Sequence, residues 1–193
     1  MRTIIVSAIA LAAATPAVAQ TNSDTNSFDG FRAEARLGYE TPTVSSDGDD
    51  DVYKIGSAVS YGGEIGFDIA VSPTLTVGPF VSYEESSVEL DVEDSSASIE
   101  VGRNYQVGGR VGVGLGGLVG YAKLGYSNIK LSFDDTTLDY SDTKGGVGGG
   151  LGVEGNFGRS TYWGIEGNYS DFGKFEGINL QRRQLAVKLG VRL

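Results

Sequence analysis

The sequence predicts an all-β fold, an eight-stranded antiparallel up-and-down transmembrane β-barrel. Three observations lead to this prediction. Apolar and polar residues alternate up to the last residue, Leu193, and a terminal amphipathic strand is stable where it closes against the first strand of a barrel. The mean hydropathy is −0.09, which suits strands that turn one side to lipid. Tight turns alternate along the chain with long acidic segments, as at the two ends of a membrane barrel.

The first twenty residues have the pattern of a secretory signal. Arg2 precedes an apolar run, Ile4–Ala14, and the small residues Ala17–Ala19 form a cleavage site. The run is too short for a transmembrane helix, and a buried N-terminal helix leaves the cleavage site without a role. We therefore expect a cleaved signal peptide at 1–19, a short periplasmic segment at 20–29 and the barrel at 30–193.

The composition excludes several classes of function. The sequence contains no cysteine and no histidine, which removes disulfides, cysteine nucleophiles, Ser-His-carboxylate hydrolysis and His-ligated metals. Catalysis by carboxylates or lysine alone stays open in principle, but no such residues converge in the sequence. The formal net charge of −10 argues against nucleic acid as a partner. We predict no enzymatic activity and no cofactor.

The first four strands follow from period-two alternation. The first strand, 31–39, alternates apolar with charged residues, and the strands at 59–69, 75–83 and 104–115 keep apolar residues on the outward face. Pro79 lies in the third strand and lacks a backbone donor, which predicts a bulge or a local break there. Ser72-Pro73 and Gly116-Gly117 provide tight turns after the second and fourth strands.

The last four strands show the same alternation. The fifth strand carries Ala122, Leu124 and Tyr126 on its outward face, and the sixth and seventh lie at 145–157 and 163–169. The turn at 158–160 joins the sixth strand to the seventh. The eighth strand turns Val187, Leu189 and Val191 to lipid, and Lys188 and Arg192 inward. An even number of strands puts both chain ends on the periplasmic side.

The opposite end of the barrel is predicted to carry four acidic or polar loops. They are Thr41–Gly56, Glu84–Glu100, Asn128–Lys144 and Asp171–Asn179. Alternating Val88, Leu90 and Val92 indicate that the second hairpin extends beyond the membrane. Aromatic residues near strand ends or on outward positions predict a girdle at the headgroup level, although any β-protein carries strand aromatics. They are Tyr39, Tyr61, Tyr83, Tyr126, Trp163 and Tyr169.

The first loop contains a cluster of carboxylates. Its members are Asp47, Asp49, Asp50 and Asp51. Carboxylate oxygens are calcium ligands, but the spacing does not match an EF-hand. A solvated acidic tip is the favoured interpretation, so no metal is predicted, and these residues stay weak candidates.

The inward-facing charges form the candidate functional site. They are Arg32, Glu34, Arg36, Glu64, Asp68, Arg110, Lys123, Glu154, Glu166, Lys188 and Arg192. An unpaired charge in a filled lumen is costly, so these residues should form salt bridges. Arg110 and Lys123 lie on adjacent strands, and their candidate partners are Glu154, Glu64 and Glu34. The network is either a structural plug, favoured because eight strands leave little lumen, or a gate whose pairs exchange and open a thin pore.

Several short segments resemble a known family in their order and spacing. These segments are Ala17–Ala19, Val71–Leu75, Val77–Phe80, Tyr121–Tyr126, Gly148–Glu154 and the terminal alternation. The chain resembles the outer-membrane β-barrel family that includes opacity-type surface proteins and the barrel domain of OmpA. The resemblance implies the outer membrane of a Gram-negative cell, insertion by the barrel-assembly machinery, and contact with membrane lipid and lipopolysaccharide. The family usually ends on an aromatic residue, where this chain has Leu193, a departure that bears on assembly efficiency.

The sequence therefore predicts a small monomeric outer-membrane barrel with acidic loops at the cell surface and a structural or adhesive role. A narrow porin-like channel gated by lumen salt bridges is the alternative. A soluble lipocalin-like or sandwich protein is a third reading, and it requires the apolar faces to point inward. The sequence does not indicate a surface ligand.

Overall fold

The computed structural model describes residues 28–46, 52–54, 57–91, 98–135, 138–175 and 178–193. These ranges contain ten β-strands: β1 (Gly30–Ser46), β2 (Val52–Lys54), β3 (Ala58–Ser72), β4 (Leu75–Ser86), β5 (Val88–Asp91), β6 (Ser98–Gly114), β7 (Leu118–Asp135), β8 (Leu138–Asn156), β9 (Thr161–Phe175) and β10 (Ile178–Arg192). No helix within these ranges has the length and apolar character needed to cross a membrane.

Eight of the described strands close into a ring. Going round, the order is β1, β3, β4, β6, β7, β8, β9 and β10, every pair is antiparallel, and β10 pairs with β1. The two short strands lie outside this ring, where β2 pairs with β1 and β5 pairs with β6. The predicted eight-stranded antiparallel barrel is confirmed.

The ring closes at the final residue of the chain. Phe31 N donates to Leu193 O at 3.0 Å, and Leu193 N donates to Phe31 O at 2.8 Å. Just before this pair, Gly30 has φ 110°, and the Leu193 carbonyl oxygen lies where a Cβ on residue 30 would stand. Only glycine adopts this backbone without strain. The terminal strand is thus paired along its whole length.

The outer wall of the barrel is apolar and the interior is polar. Leu151 and Leu124 are 70 % and 65 % exposed on the outside, whereas Lys188 and Arg192 are buried inside. The six girdle aromatics are exposed on the outer wall as well. An apolar exterior around a polar interior is the reverse of the arrangement in a soluble protein, and it suits a lipid environment. The soluble alternative is wrong, because the apolar faces point outward.

The two ends of the barrel differ in how the strands are joined. We call the end with the joins β3–β4, β6–β7 and β8–β9 the turn end, and the opposite end the hairpin end.

The strands are longer than the sequence predicted. At the hairpin end, the expectation of loops was wrong for most residues. β7 runs to Asp135 and β8 begins at Leu138, and the two strands stay paired to Asp135↔Leu138. Likewise β9 runs to Phe175 and β10 begins at Ile178. An acidic composition indicates that a segment is in contact with water, but it does not distinguish a loop from a hairpin. A hairpin beyond the bilayer keeps its backbone hydrogen bonds and still exposes acidic side chains to water.

Pro79 interrupts the ladder locally, as predicted. The register between β3 and β4 passes from Gly66↔Phe80 to Ile69↔Val77, with no paired residues between these two positions. The pairs from Ser60↔Ser86 to Ala70↔Thr76 keep one register, and Pro79 stays paired with Gly109 on β6, so the break does not change which side chains face inward. The turns at the turn end are short: Pro73 and Thr74 make the first, and Gly116, with φ 78°, lies in the second.

Candidate functional site in the lumen

The candidate site is built from side chains that alternate inward along each strand. On β1 the inward positions are Arg32, Glu34, Arg36 and Glu40, all buried. Period-two geometry places these four residues in one column on the lumen wall. The structure places all eleven sequence-predicted charges in the lumen, and each is buried.

The centre of the lumen is crossed by Arg36, which projects from β1. Its guanidinium contacts Glu34 at 3.0 Å, Glu64 at 3.1 Å and Glu84 at 2.9 Å, and it also pairs with Glu166. Glu84 is on β4 and Glu166 is on β9, which occupy opposite places in the ring. One side chain therefore ties together opposite walls of the barrel.

Lys123 on β7 reaches the same centre from the side opposite β1. Its Nζ lies 2.9 Å from Glu64 Oε2 and 2.7 Å from Glu166 Oε1. Lys188 on β10 completes this central group, with its Nζ 2.7 Å from Glu154 and 3.2 Å from Glu34. The carboxylates are shared between cations from different strands, so the pairs form a connected network.

The turn end of the lumen holds three arginines around two carboxylates. Arg32, Arg110 and Arg192 lie 3.2, 3.3 and 3.3 Å from Asp68 Oδ2. Arg110 and Arg192 also contact Glu154 Oε2, at 2.8 and 3.0 Å. Arg32 links this turn-end group to the central group through Glu64, at 2.7 Å.

The hairpin end holds a further group that the sequence analysis missed. Arg182 Nε donates to Glu40 Oε2 at 2.5 Å, and its Nη2 donates to Glu84 Oε2 at 2.8 Å. Gln184 Nε2 donates to the same Glu84 oxygen at 3.0 Å. These residues continue the inward alternation of strands β1, β4 and β10, so the sequence pattern did contain them. Glu40 and Glu84 were missed because the first and third predicted strands were taken to end at Tyr39 and Tyr83.

Aromatic side chains fill the space between the charges. Tyr121 Oη donates to Glu166 at 2.6 Å, and Tyr162 Oη donates to Glu34 at 2.6 Å. The Arg110 guanidinium stacks 3.9 Å from the centre of the Tyr121 ring, and Lys123 Nζ lies 5.0 Å from that of Phe80. Such contacts stabilise desolvated cations. Tyr162 was also missed, although it shares the inward phase of Glu166.

Apolar clusters cover the charges at both ends. At the hairpin end, buried Ile129 and Phe172 pack with Ala58 and Leu180. At the turn end, Phe28 packs against Val119 and Tyr121. Phe28 belongs to the segment 20–29, and its side chain is buried at the turn end of the lumen. The network thus lies between two small apolar clusters, one at each end of the described lumen.

Charge is balanced inside the described part of the barrel. Seven buried cations face seven buried carboxylates. The cations are Arg32, Arg36, Arg110, Lys123, Arg182, Lys188 and Arg192, and the carboxylates are Glu34, Glu40, Glu64, Asp68, Glu84, Glu154 and Glu166. This balance compensates the desolvation cost that an unpaired buried charge would impose.

Neighbours in the sheet nevertheless carry like charges. The register places Arg32 beside Arg192, Arg36 beside Lys188, Arg110 beside Lys123 and Glu34 beside Glu64. Like charges directly opposite on paired strands repel each other. Opposite charges meet diagonally on neighbouring strands, as Arg36 and Glu64 do. They also meet across the lumen, as Lys123 and Glu64 do, and these second contacts depend on closure of the ring.

No group of three or more metal-binding side chains occurs among the described residues. The weak calcium candidates Asp47, Asp49, Asp50 and Asp51 lie outside the described residues. The site that the structure defines is therefore the lumen network.

A closed barrel with an apolar outer wall and a filled, charged lumen is the architecture of a small outer-membrane barrel protein. A family model described as "Outer membrane protein beta-barrel domain" matches residues 8–192. The chain belongs to this family, which implies the outer membrane of a Gram-negative cell.

Solved structures share the fold at low sequence identity. Ail, the attachment invasion locus protein of Yersinia pestis, has a TM-score of 0.52 at 15 % identity, over 84 % of this chain and 99 % of that chain. Ail in complex with the heparin analogue sucrose octasulfate gives a TM-score of 0.55 at 15 % identity, over 83 % and 99 %. Neisserial surface protein A gives 0.53 at 15 % identity, over 89 % and 100 %. At these identities the likeness shows the fold alone. No curated protein sequence matches the chain closely enough to count as a relative.

Proposed function

We propose that this protein is a non-enzymatic outer-membrane barrel whose lumen is closed by a salt-bridge plug, and that it serves as a rigid scaffold for hairpins at the cell surface. The main support for the proposal comes from the contacts of Arg36 and Lys123. These cations project from opposite strands and contact the same carboxylates, Glu64 and Glu166. The network therefore spans the full width of the lumen.

The energetics favour a plug over an open passage. Removing one partner of a buried ion pair costs about 3–5 kcal/mol, because the remaining charge is stranded. Opening a path through the centre requires several such contacts to break together, since each carboxylate is shared. Small apolar clusters around Phe172 and Phe28 occupy the two ends of the lumen and leave less open space there.

The strands that extend beyond the girdle support a surface role. β7 and β8 stay paired to Asp135↔Leu138, well beyond Tyr126 of the girdle, so the barrel presents a hydrogen-bonded hairpin beyond the membrane. Ail is described as an attachment invasion locus protein, which agrees with a structural or adhesive role on this fold. The proposal includes a monomer, contact with outer-membrane lipid and lipopolysaccharide, and insertion by the barrel-assembly machinery.

A gated channel is the second candidate, and one contact favours it. Glu84 is shared by two arginines, with Oε1 2.9 Å from Arg36 Nε and Oε2 2.8 Å from Arg182 Nη2. The carboxylate could stay paired with either arginine while the other moves. A path beside it could then open without leaving Glu84 unpaired.

Conductance in planar bilayers separates the two candidates. For a plug, the refolded protein gives no single-channel steps, and Arg110→Ala lowers stability without creating them. For a gate, the wild type shows rare steps and Arg110→Ala makes them frequent while the barrel still folds. Arg103→Ala is the matched control, because Arg103 is exposed on the outer wall. Frequent steps in the wild type with no change in Arg110→Ala would contradict both candidates.

A further inference from the structure

A groove crosses the lipid-facing wall of the barrel. It has a volume of about 970 Å³ and is lined by strands β7, β8, β9, β10 and β1. Glycines form its floor: Gly167 has no neighbouring atom within 4 Å of where its Cβ would stand, and Gly149 also points outward. Leu124, Leu151 and Leu185 form its apolar walls and are all strongly exposed.

The groove descends from the girdle into the membrane. The register follows one row of residues through Ala122↔Leu151, Leu151↔Gly167, Gly167↔Leu185 and Leu185↔Tyr39. Ala122 stands four residues from the turn-end start of its strand at Leu118, whereas Tyr39 stands nine from Gly30. At roughly 3.3 Å per residue, this offset corresponds to about 16 Å along the strands.

The rim of the groove nearest the hairpin end carries a cation. Arg183 is exposed on the outer face of β10, and its register partners are the aromatic Tyr169 and the polar Thr41. Asp171 also lines the rim, and its Oδ1 accepts a hydrogen bond from Gly173 N at 2.8 Å. A guanidinium at the headgroup level matches the geometry of a phosphate.

We propose that this groove binds one lipid, with its phosphate against Arg183 and an acyl chain on the Gly149–Gly167 floor. Bulk lipid is as apolar as the groove, so burial alone does not select an occupant. Selection comes from the fit of a thin chain and from the charge at the rim. A second copy of this barrel is the poorer fit, because a symmetric contact would place one concave surface against another. The chemistry that the rim recognises is an anionic phosphate headgroup.

Native mass spectrometry tests this on full-length refolded protein. The protein is released from nanodiscs that contain equal amounts of phosphatidylglycerol and phosphatidylcholine, and the lipids retained on each barrel are counted. We expect one phosphatidylglycerol on the wild type. Arg183→Gln should lower its retention about tenfold through loss of a charge-assisted pair. Asp171→Asn should raise it.

Gly167→Leu adds a side chain to the groove floor at a position where a Cβ meets no atom within 4 Å, and it should abolish retention while the barrel folds normally. The matched controls are Gly109→Leu, whose Cβ also meets nothing within 4 Å, and Arg103→Gln on the outer face of β6. Both controls should keep the lipid. Equal retention of the two lipids, or retention by Gly167→Leu, would overturn the proposal. A dimer that Gly167→Leu disrupts would overturn it in favour of a second copy of the chain.

Discussion

Arg36 on β1 and Lys123 on β7 project from opposite strands of the ring and hold the same two carboxylates, Glu64 and Glu166. The two cations thereby join the walls that lie furthest apart in the sheet. The ion pairs inside the lumen therefore contribute to the stability of the barrel.

Lys123→Met should destabilise the barrel by about 3–5 kcal/mol, because it leaves two carboxylates short of a cation in a confined site. Urea unfolding in lipid vesicles, followed through Trp163 fluorescence, measures the loss. Lys130→Met is the control, since Lys130 lies on the outer face of the same strand. An equal loss in both variants would show that the lumen contacts do not matter specifically.

Tyr121→Phe should cost about 1.5–3 kcal/mol, because its hydroxyl donates to the charged Glu166 at 2.6 Å. Tyr61→Phe removes the same atom from an exposed position on the outer wall and should be nearly neutral. Thermal unfolding of the two variants side by side checks this difference. Identical melting temperatures would contradict the assigned contact.

Gly30→Ala should destabilise the closing pair of strands by about 1–3 kcal/mol, since the left-handed backbone strains any other residue. The Leu193 carbonyl also blocks the space for a Cβ. Gly117→Ala, in an open turn with nothing within 4 Å of the new carbon, should have little effect. Heat-modified mobility on gels reports the folded fraction of each variant, and equal mobility for the two would count against the strain.

Leu151→Arg should cost about 2–4 kcal/mol if its site lies near the bilayer midplane. Thr74→Arg places the same charge in an exposed turn, and the cost there should be about 0–1 kcal/mol. Chemical unfolding in vesicles compares the two. Equal tolerance of both substitutions would mean that the outer wall does not face lipid.

The fold could be predicted because alternation acts locally, residue by residue. Lys188 and Leu189 are adjacent in the chain, and their opposite polarity decides which one faces the lumen. The positions of the strand ends were harder to predict from the sequence. An acidic residue such as Glu84 suits a solvated loop as well as a buried salt bridge, and only its partners, Arg36 and Arg182, distinguish these environments.

The pairs across the lumen could not be derived from strand neighbours. Arg110 and Lys123 are register partners, yet their nearest carboxylates are Glu154 on β8 and Glu166 on β9. Such contacts depend on the diameter and shear of the closed ring, which period-two patterns do not encode. Candidate partners could be named, but the shared geometry required the closed structure.

The like-charged register has a consequence for the last step of ring closure. Arg36 meets Lys188, and Arg32 meets Arg192, only when β10 pairs with β1, so this seam brings cations together. Carboxylates offset the repulsion, because Glu34 contacts Lys188 across the seam and Glu166 contacts Arg36 across it. In an open sheet Arg36 would keep Glu64 as a neighbour, whereas the contacts that cross the seam would be absent. The electrostatic gain of these contacts is therefore available only to the closed ring.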